Sequence, residues 1–367
     1  PFFVGGPIPG PYYKAMVASA YFTLLVRTDD SILACGNNTY GQLGNNTTTS
    51  YSSPISIVGG DVFPILVAGR YSSYGIKADG TAWAWGNNSY GQLGNNTTTS
   101  YSSPISVVGG HSFVKIAAGE LHTAAIRGSD GTAWAWGYNG SGELGDNTRT
   151  NRSTPVSVVG GHSFIEISAS GYGYVVAIRG SDGTAWAWGI NNVGQLGHGN
   201  SVSYSSPVSV VGGHSFVKIS AGQEHVVAIR GSDGTAWAWG QNTSGQLGDN
   251  TITLRNSPVS VVGGHSFIEV ALGQAHSIAI RGSDRAVWGW GSNWQGQIGQ
   301  GSYQGYSVPA VVFSGGRFIK ISSGWYHSLA LQSTGLIWGC GVNLFGEGGV
   351  TDIPSVSSPV LLCKLPG

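Results

Sequence analysis

A twelve-residue phrase recurs seven times in the chain and narrows what it can fold into. Its fullest form runs from Trp83 to Gly94: Trp-Ala-Trp-Gly-Asn-Asn-Ser-Tyr-Gly-Gln-Leu-Gly. Its first glycine falls at Gly36, Gly86, Gly137, Gly189, Gly240, Gly291 and Gly341, at intervals of 50, 51, 52, 51, 51 and 50 residues. Pro54, Pro104, Pro155, Pro207, Pro258, Pro309 and Pro359 keep the same spacing. One supersecondary unit copied this regularly makes a closed or stacked array, because a unit of about 50 residues must lean on its neighbours to bury a core. The chain therefore reads as one domain over residues 13–367. Residues 1–12, rich in Pro and Gly, read as an arm or linker. The start at Pro1 reads as a removed leader or as the beginning of a segment of a longer polypeptide.

The third copy shows the unit. Phe113–Ala118 alternates as a strand does, and Gly119-Glu120-Leu121 is a tight connection. His122–Arg127 reads as the next strand, and Gly128-Ser129-Asp130-Gly131 as a hairpin turn. Thr132–Trp136 follows as the third strand. Ser103–Val108, opened by Pro104, is a further short apolar run. Trp134 and Trp136 share one face and Ala135 takes the other. Large aromatics opposite alanines suit a wedge-shaped blade that interlocks with its neighbour. No segment carries a 3.6-residue period with caps, so little or no helix is predicted. Three to four strands in each of seven copies predict an all-β, seven-bladed β-propeller, its first and last blades in contact. The kelch repeat also has a period near 50. Here, however, the tryptophan pair begins 24 residues after Gly110, too far for the kelch pattern.

Charge excludes some functions. Lys+Arg and Asp+Glu each number 17, giving net charge +0, and no basic stretch exists to bind nucleic acid by counterion release. Charged residues make up only 9% of the chain, against roughly 25% in ordinary soluble proteins. The surface must be made polar by Asn, Ser, Thr, Gln and Gly. Such a surface suits an extracellular or virion-exposed protein, with a cytoplasmic one as the alternative. No apolar run of about 18 residues exists, so no membrane insertion is expected. Cys35 and Cys340 stand where other copies carry Trp85 or Trp136, and read as small buried residues. A disulfide from Cys363 to one of them stays open.

The phrase Gly-x-Asn-x-x-Gly-Gln-Leu-Gly, here Gly240, Asn242, Gly245, Gln246, Leu247 and Gly248, follows Ala221-Gly222-Gln223-Glu224-His225. Together they resemble the repeat of the regulator of chromosome condensation family, over about Lys14 to Pro359. The resemblance implies a seven-bladed propeller. Guanine-nucleotide exchange, as in the family's founding member, would need an acidic face and a projecting hairpin wedge. No copy here exceeds 52 residues, so none has room for that insertion. Light sensing in the family uses clustered tryptophans at a Gly-Trp-x-His position. Only Gly324-Trp325-Tyr326-His327 matches it, with Arg70, Glu120, Gln223 and Gln274 at the corresponding positions. Secreted enzyme inhibitors and bacterial or phage surface proteins share the repeat, and the low charge and Thr/Asn-rich loops resemble these most.

Catalytic and metal chemistry find little footing. His111, His162, His214 and His265 recur in Gly-Gly-His-Ser-Phe, and His122, His225, His276 and His327 open the second strand. Equivalents a blade apart cannot share one ion; a histidine capping a turn is the reading adopted. Asp130, Asp182 and Asp233 recur singly in hairpins beside Arg127, Arg179 and Arg230, not as paired carboxylates. No nucleophile elbow, zinc-protease or phosphate-cradling motif occurs. The chain is therefore read as no enzyme, with no cofactor and no metal. Asn-x-Ser/Thr triplets, among them those at Asn37, Asn45, Asn87, Asn95, Asn151 and Asn242, matter only in a eukaryotic secretory context.

Residues 87–107 nearly reproduce 37–57. Where such copies differ, packing does not dictate the residue and a partner can. The variable positions are the two after Ala-Gly, the two before Gly-Gln-Leu, and the loop leading to the proline; they are expected on opposite faces or on a face and the rim. Copies six and seven diverge most, toward Trp294, Tyr303, Tyr306, Trp325 and Tyr326. These are the expected partner-binding residues, aromatic types that dominate interfaces and stack on sugars. Packing at the closure seam is the alternative. The expected partner is a protein or glycan on a virion or cell surface, with assembly into a larger particle. An exchange-factor-like regulator and a secreted enzyme inhibitor are the competing readings.

Overall fold

The computed structural model describes residues 13–343, 346 and 355–362. The arm at residues 1–12 and the Cys363 pairing lie outside the described residues. Four-stranded antiparallel sheets follow one another at 13–56, 65–106, 113–157, 164–209, 216–260, 267–313 and 318–362, making seven blades. In the third, Phe113–Ala118 pairs with His122–Arg127, which pairs with Ala133–Gly137, which pairs with Arg152–Ser157. No helix occurs among the described residues. The proline run of each copy becomes the outermost strand, one of the four in its sheet. Pro tolerates that edge because no further ladder needs its missing N–H.

The first strand of each blade lines a central channel. Residues from all seven blades, from Ala18 through Gly69, Gly119, Gly171, Gly222 and Gly273 to Gly324, ring one cavity of about 150 Å³ at its mouth. A Cβ at Gly273 would lie 2.6 Å from the Gly324 carbonyl of the next blade. Gly324 repeats that approach on the Ser19 carbonyl of the first blade, at 2.2 Å, so the ring is closed. Tyr13, Met16, Leu25 and Leu33 share one apolar cluster with Leu329, Leu331, Ile337 and Leu362 across this seam. Ala18 N–H donates to Ser322 Oγ at 2.8 Å and Tyr13 N–H to the Gly335 carbonyl at 3.2 Å.

The predicted interlock of aromatics and alanines is the inter-blade contact. Trp186 and Trp188 pack on Ala133 and Ala135 of the preceding blade, Trp237 and Trp239 on Ala185 and Ala187, and Trp288 and Trp290 on Ala236 and Ala238. The second tryptophan of each pair, Trp85, Trp136, Trp188, Trp239 and Trp290, is fully buried. Its indole N–H donates to a main-chain carbonyl of the preceding blade, as Trp136 does to Gln92 at 2.8 Å and Trp290 to Gln246 at 2.9 Å. Cys340 keeps the latch with a thiol, 3.3 Å from the Gln297 carbonyl. The closing glycine of the phrase makes room for the ring: a Cβ at Gly94, whose φ is +69°, would lie 2.8 Å from Trp136 Nε1.

Eight of the nine histidines, all but His198, resolve into two structural sets. His111, His162, His214 and His265 do not cap turns through hydrogen bonds as expected; they stack on Trp134, Trp186, Trp237 and Trp288 at 3.9–4.3 Å between ring centroids. Arg127, Arg179, Arg230 and Arg281 also lie against those same tryptophans and pair with Asp130, Asp182, Asp233 and Asp284. His122, His225, His276 and His327 are buried. His225 Nε2 and His276 Nε2 each lie 3.0 Å from a hydroxyl of the following blade, Ser277 and Ser328. Those hydroxyls donate to the Gln246 and Gln297 carbonyls, so they accept from the histidines and the Nε2–H tautomer is set.

Candidate functional site

The direction of the chain sorts the connections. Loops between the first and second strands emerge on the same face as the Gly-x-Asn turns that follow the third strand. The Ser-Asp-Gly hairpins and the Gly-Gly-His-Ser connections emerge on the other. Both the two residues after Ala-Gly and the two before Gly-Gln-Leu therefore share one face, where one groove is lined by both sets. The opposite face repeats nearly the same Arg–Asp pair and His–Trp stack in four blades.

The Gly-x-Asn turns of the first six blades are built around a buried asparagine, at Asn38, Asn88, Asn139, Asn191, Asn242 and Asn293. Asn88 Nδ2 donates to Asn95 Oδ1, to the Thr97 carbonyl and to the Thr99 carbonyl at 2.9–3.1 Å, and its Oδ1 accepts the Leu93 N–H at 2.9 Å. Gln92 ties the near end, accepting the Tyr90 N–H and donating to Asn87 Oδ1. This network frees the two residues between Asn and Gly to vary without loss of the turn. The exposed indole of Trp294 stands at one such position, where the other copies have Thr39, Ser89, Gly140, Asn192, Thr243 and Leu344.

Two features occupy this face. At the channel mouth, the Arg70 guanidinium lies 3.9 Å from the Trp325 ring centre and pairs with Glu120 at 2.6 Å, while donating to the Tyr21 hydroxyl at 3.1 Å. Glu120 and Tyr21 hold that guanidinium ionised against the cost of its partial burial. Tyr40, Tyr71, Tyr21, Trp325 and Tyr326 form a chain of rings with centroids 5.3–6.1 Å apart. Trp325 reaches across the mouth: a Cβ on Gly171, in the fourth blade, would lie 3.6 Å from its Nε1. The second feature is a groove of about 380 Å³ between the fifth, sixth and seventh blades, walled by Trp294 and Tyr326 and floored by glutamines. Glu224 faces it, its carboxyl pushed up by burial.

Of the predicted residues, Trp294 and Tyr326 meet in the groove and Trp325 caps the channel mouth. Trp294 is 77% exposed and Tyr303, in the same connection, 55%. Tyr306 begins its outer strand, as Tyr51, Tyr101 and Tyr204 begin theirs, and packs half-buried on the core between blades six and seven. Sequence reasoning marks Arg70, Glu120, Gln223 and Gln274 as variable positions but does not assign them a role beside Trp325 or Trp294. Among the described residues, no three His, Cys, Asp or Glu side chains converge as metal ligands.

The model of the regulator of chromosome condensation (RCC1) repeat matches residues 29–68, 79–126, 130–178, 182–229, 233–280 and 284–331. The chain is 31% identical to the ultraviolet-B receptor UVR8 of Arabidopsis thaliana over 65% of its own length and 55% of the receptor's. It is 31% identical to the human E3 ubiquitin-protein ligase HERC2 over 58% of its length and 5% of the ligase's. The chain thus spans about half of the receptor and a small part of the ligase. Among solved structures, yeast RCC1 (Prp20) bound to Kap60 superposes with TM-score 0.79 at 16% identity, covering 99% of this chain and 91% of that one. Human WBSCR16 gives 0.77 at 19%, covering 89% and 87%.

Proposed function

Since the chain belongs to the RCC1 repeat family, we propose that it is a non-enzymatic propeller that binds a partner protein through the face bearing Trp325 and Trp294. One observation carries this: the two faces of a nearly symmetric ring differ in kind. One repeats the same residues from blade to blade, and the other gathers the unique ones, Arg70, Glu120, Trp294, Trp325 and Tyr326. Aromatic and Arg side chains at the centre of a rigid, non-repeating patch are the residue types that anchor protein interfaces. The yeast protein of the same fold has been seen bound to a partner protein, Kap60.

The partner is placed on a virion or cell surface, where the chain contributes to attachment or to a larger particle. The low charge and the Thr- and Asn-rich loops support this setting. The test is capture from purified particles or surface fractions on the immobilised chain, identified by mass spectrometry. Arg70→Ala with Trp325→Ala should abolish capture of the partner, while Asp130→Ala with Asp182→Ala on the other face should leave it intact. The reverse pattern overturns the proposal. Capture of a cytosolic GTPase, lost with the same Arg70 and Trp325 variants, would favour an exchange-factor-like regulator instead; capture of a secreted enzyme would favour an inhibitor.

A further inference from the structure

We propose that the groove between the fifth, sixth and seventh blades is a binding site for a neutral saccharide. The proposal rests on the reading that this face is the binding face, and names the ligand of one part of it. The groove, about 380 Å³, falls in the range of small-molecule sites, which run from roughly 300 to 1,000 Å³. Trp294 is its wall and is 77% exposed, so burial does not account for an indole at a position where the first five copies carry Thr, Ser, Gly or Asn and the seventh carries Leu344. A flat aromatic face with polar groups beside it suits the C–H face of a sugar ring, with hydroxyls reaching outward. Tyr326 supplies a second ring across the groove.

The polar lining matches hydroxyls. The side-chain amides of Gln223, Gln274 and Gln295 and the carboxylate of Glu224 line the space and make no hydrogen bond to the rest of the described chain. Each amide offers both a donor and an acceptor, as each sugar hydroxyl does, and Glu224 offers acceptors. No Lys or Arg is among the lining residues. A uronic or sialic acid would bring its charge toward Glu224 with no cation to receive it, so acidic sugars are disfavoured. A peptide would seek an apolar pocket for an anchoring side chain, and this floor is made of amides.

The test is a glycan array followed by calorimetric titration of the best neutral oligosaccharide, with tryptophan fluorescence as a second readout. Neutral glycans should bind in preference to acidic ones and perturb the emission. Trp294→Ala should weaken binding by about tenfold or more with an unchanged melting temperature, because the side chain is exposed. Trp294→Phe should restore most of the affinity, and Gln223→Ala with Gln274→Ala should lose it. The proposal is overturned if no saccharide binds at about ten millimolar, if acidic glycans bind as well as neutral ones, or if Trp294→Ala binds normally. Saccharide failure with undiminished capture of the protein partner removes this proposal alone; loss of neither in the face variants removes the reading beneath it.

Discussion

Four histidines that the sequence places at the start of the second strand are sealed between blades, and acid should find them. Burial pushes His122 and His327 down to about 4 and His225 and His276 down to about 3. In the unfolded chain each titrates near 6.5. Below that pH the unfolded state takes up protons that the native state refuses, so stability falls as pH drops from about 6.5 toward 4, by up to about 1.4 kcal/mol per histidine per pH unit. Above pH 6.5 these groups contribute nothing. Glu143, raised to about 6 by burial, opposes the trend by one proton. Denaturant melts across this window should show net proton uptake on unfolding, and His225→Gln should reduce the slope by about one proton. A midpoint flat from pH 6.5 to 4.5 would contradict the buried neutral tautomer.

Among elements, the connection after the third strand depends most on a single side chain. Asn88 holds two carbonyls, a neighbouring side chain and one N–H of its turn while fully buried. Asn88→Ala would strand those groups, each at about 1–3 kcal/mol when left without a partner. Water entering the emptied space would recover part, so a loss of about 2–4 kcal/mol is expected in urea unfolding; a loss below about half a kcal/mol would remove Asn88 from this role. The strands themselves are legible in the sequence because alternation with period two and Asp-Gly turns are local signals. The Trp-over-Ala interlock is legible too, since the two residue sizes fall on opposite faces of one short strand. The role of Asn88 is not, because its partners at Asn95, Thr97 and Thr99 become neighbours only once the loop folds back. Nor is the groove: Trp294 and Tyr326 belong to different repeats, and only the curvature of the ring brings them together. His111 stacks on Trp134 instead of capping its turn because the connection between the second and third blades delivers it onto the indole, an outcome that no local motif encodes.

At the scale of the whole molecule, stability turns on the seam between the last blade and the first. Leu331, fully buried, shares an apolar cluster with Met16 of the first blade. Leu331→Ala should cost about 2–5 kcal/mol. A double-mutant cycle with Met16→Ala should show coupling of about 0.5 kcal/mol or more, as expected for residues in one cluster; strict additivity would show that the seam is not a shared core. Each sheet is one unbroken stretch of chain, with no strand traded between first and last blades among the described residues. A ring of that kind is a split washer. Tension on its two ends should prise it open at the cut with every sheet still intact, giving a gapped but folded arc as the first mechanical intermediate, before any blade unzips.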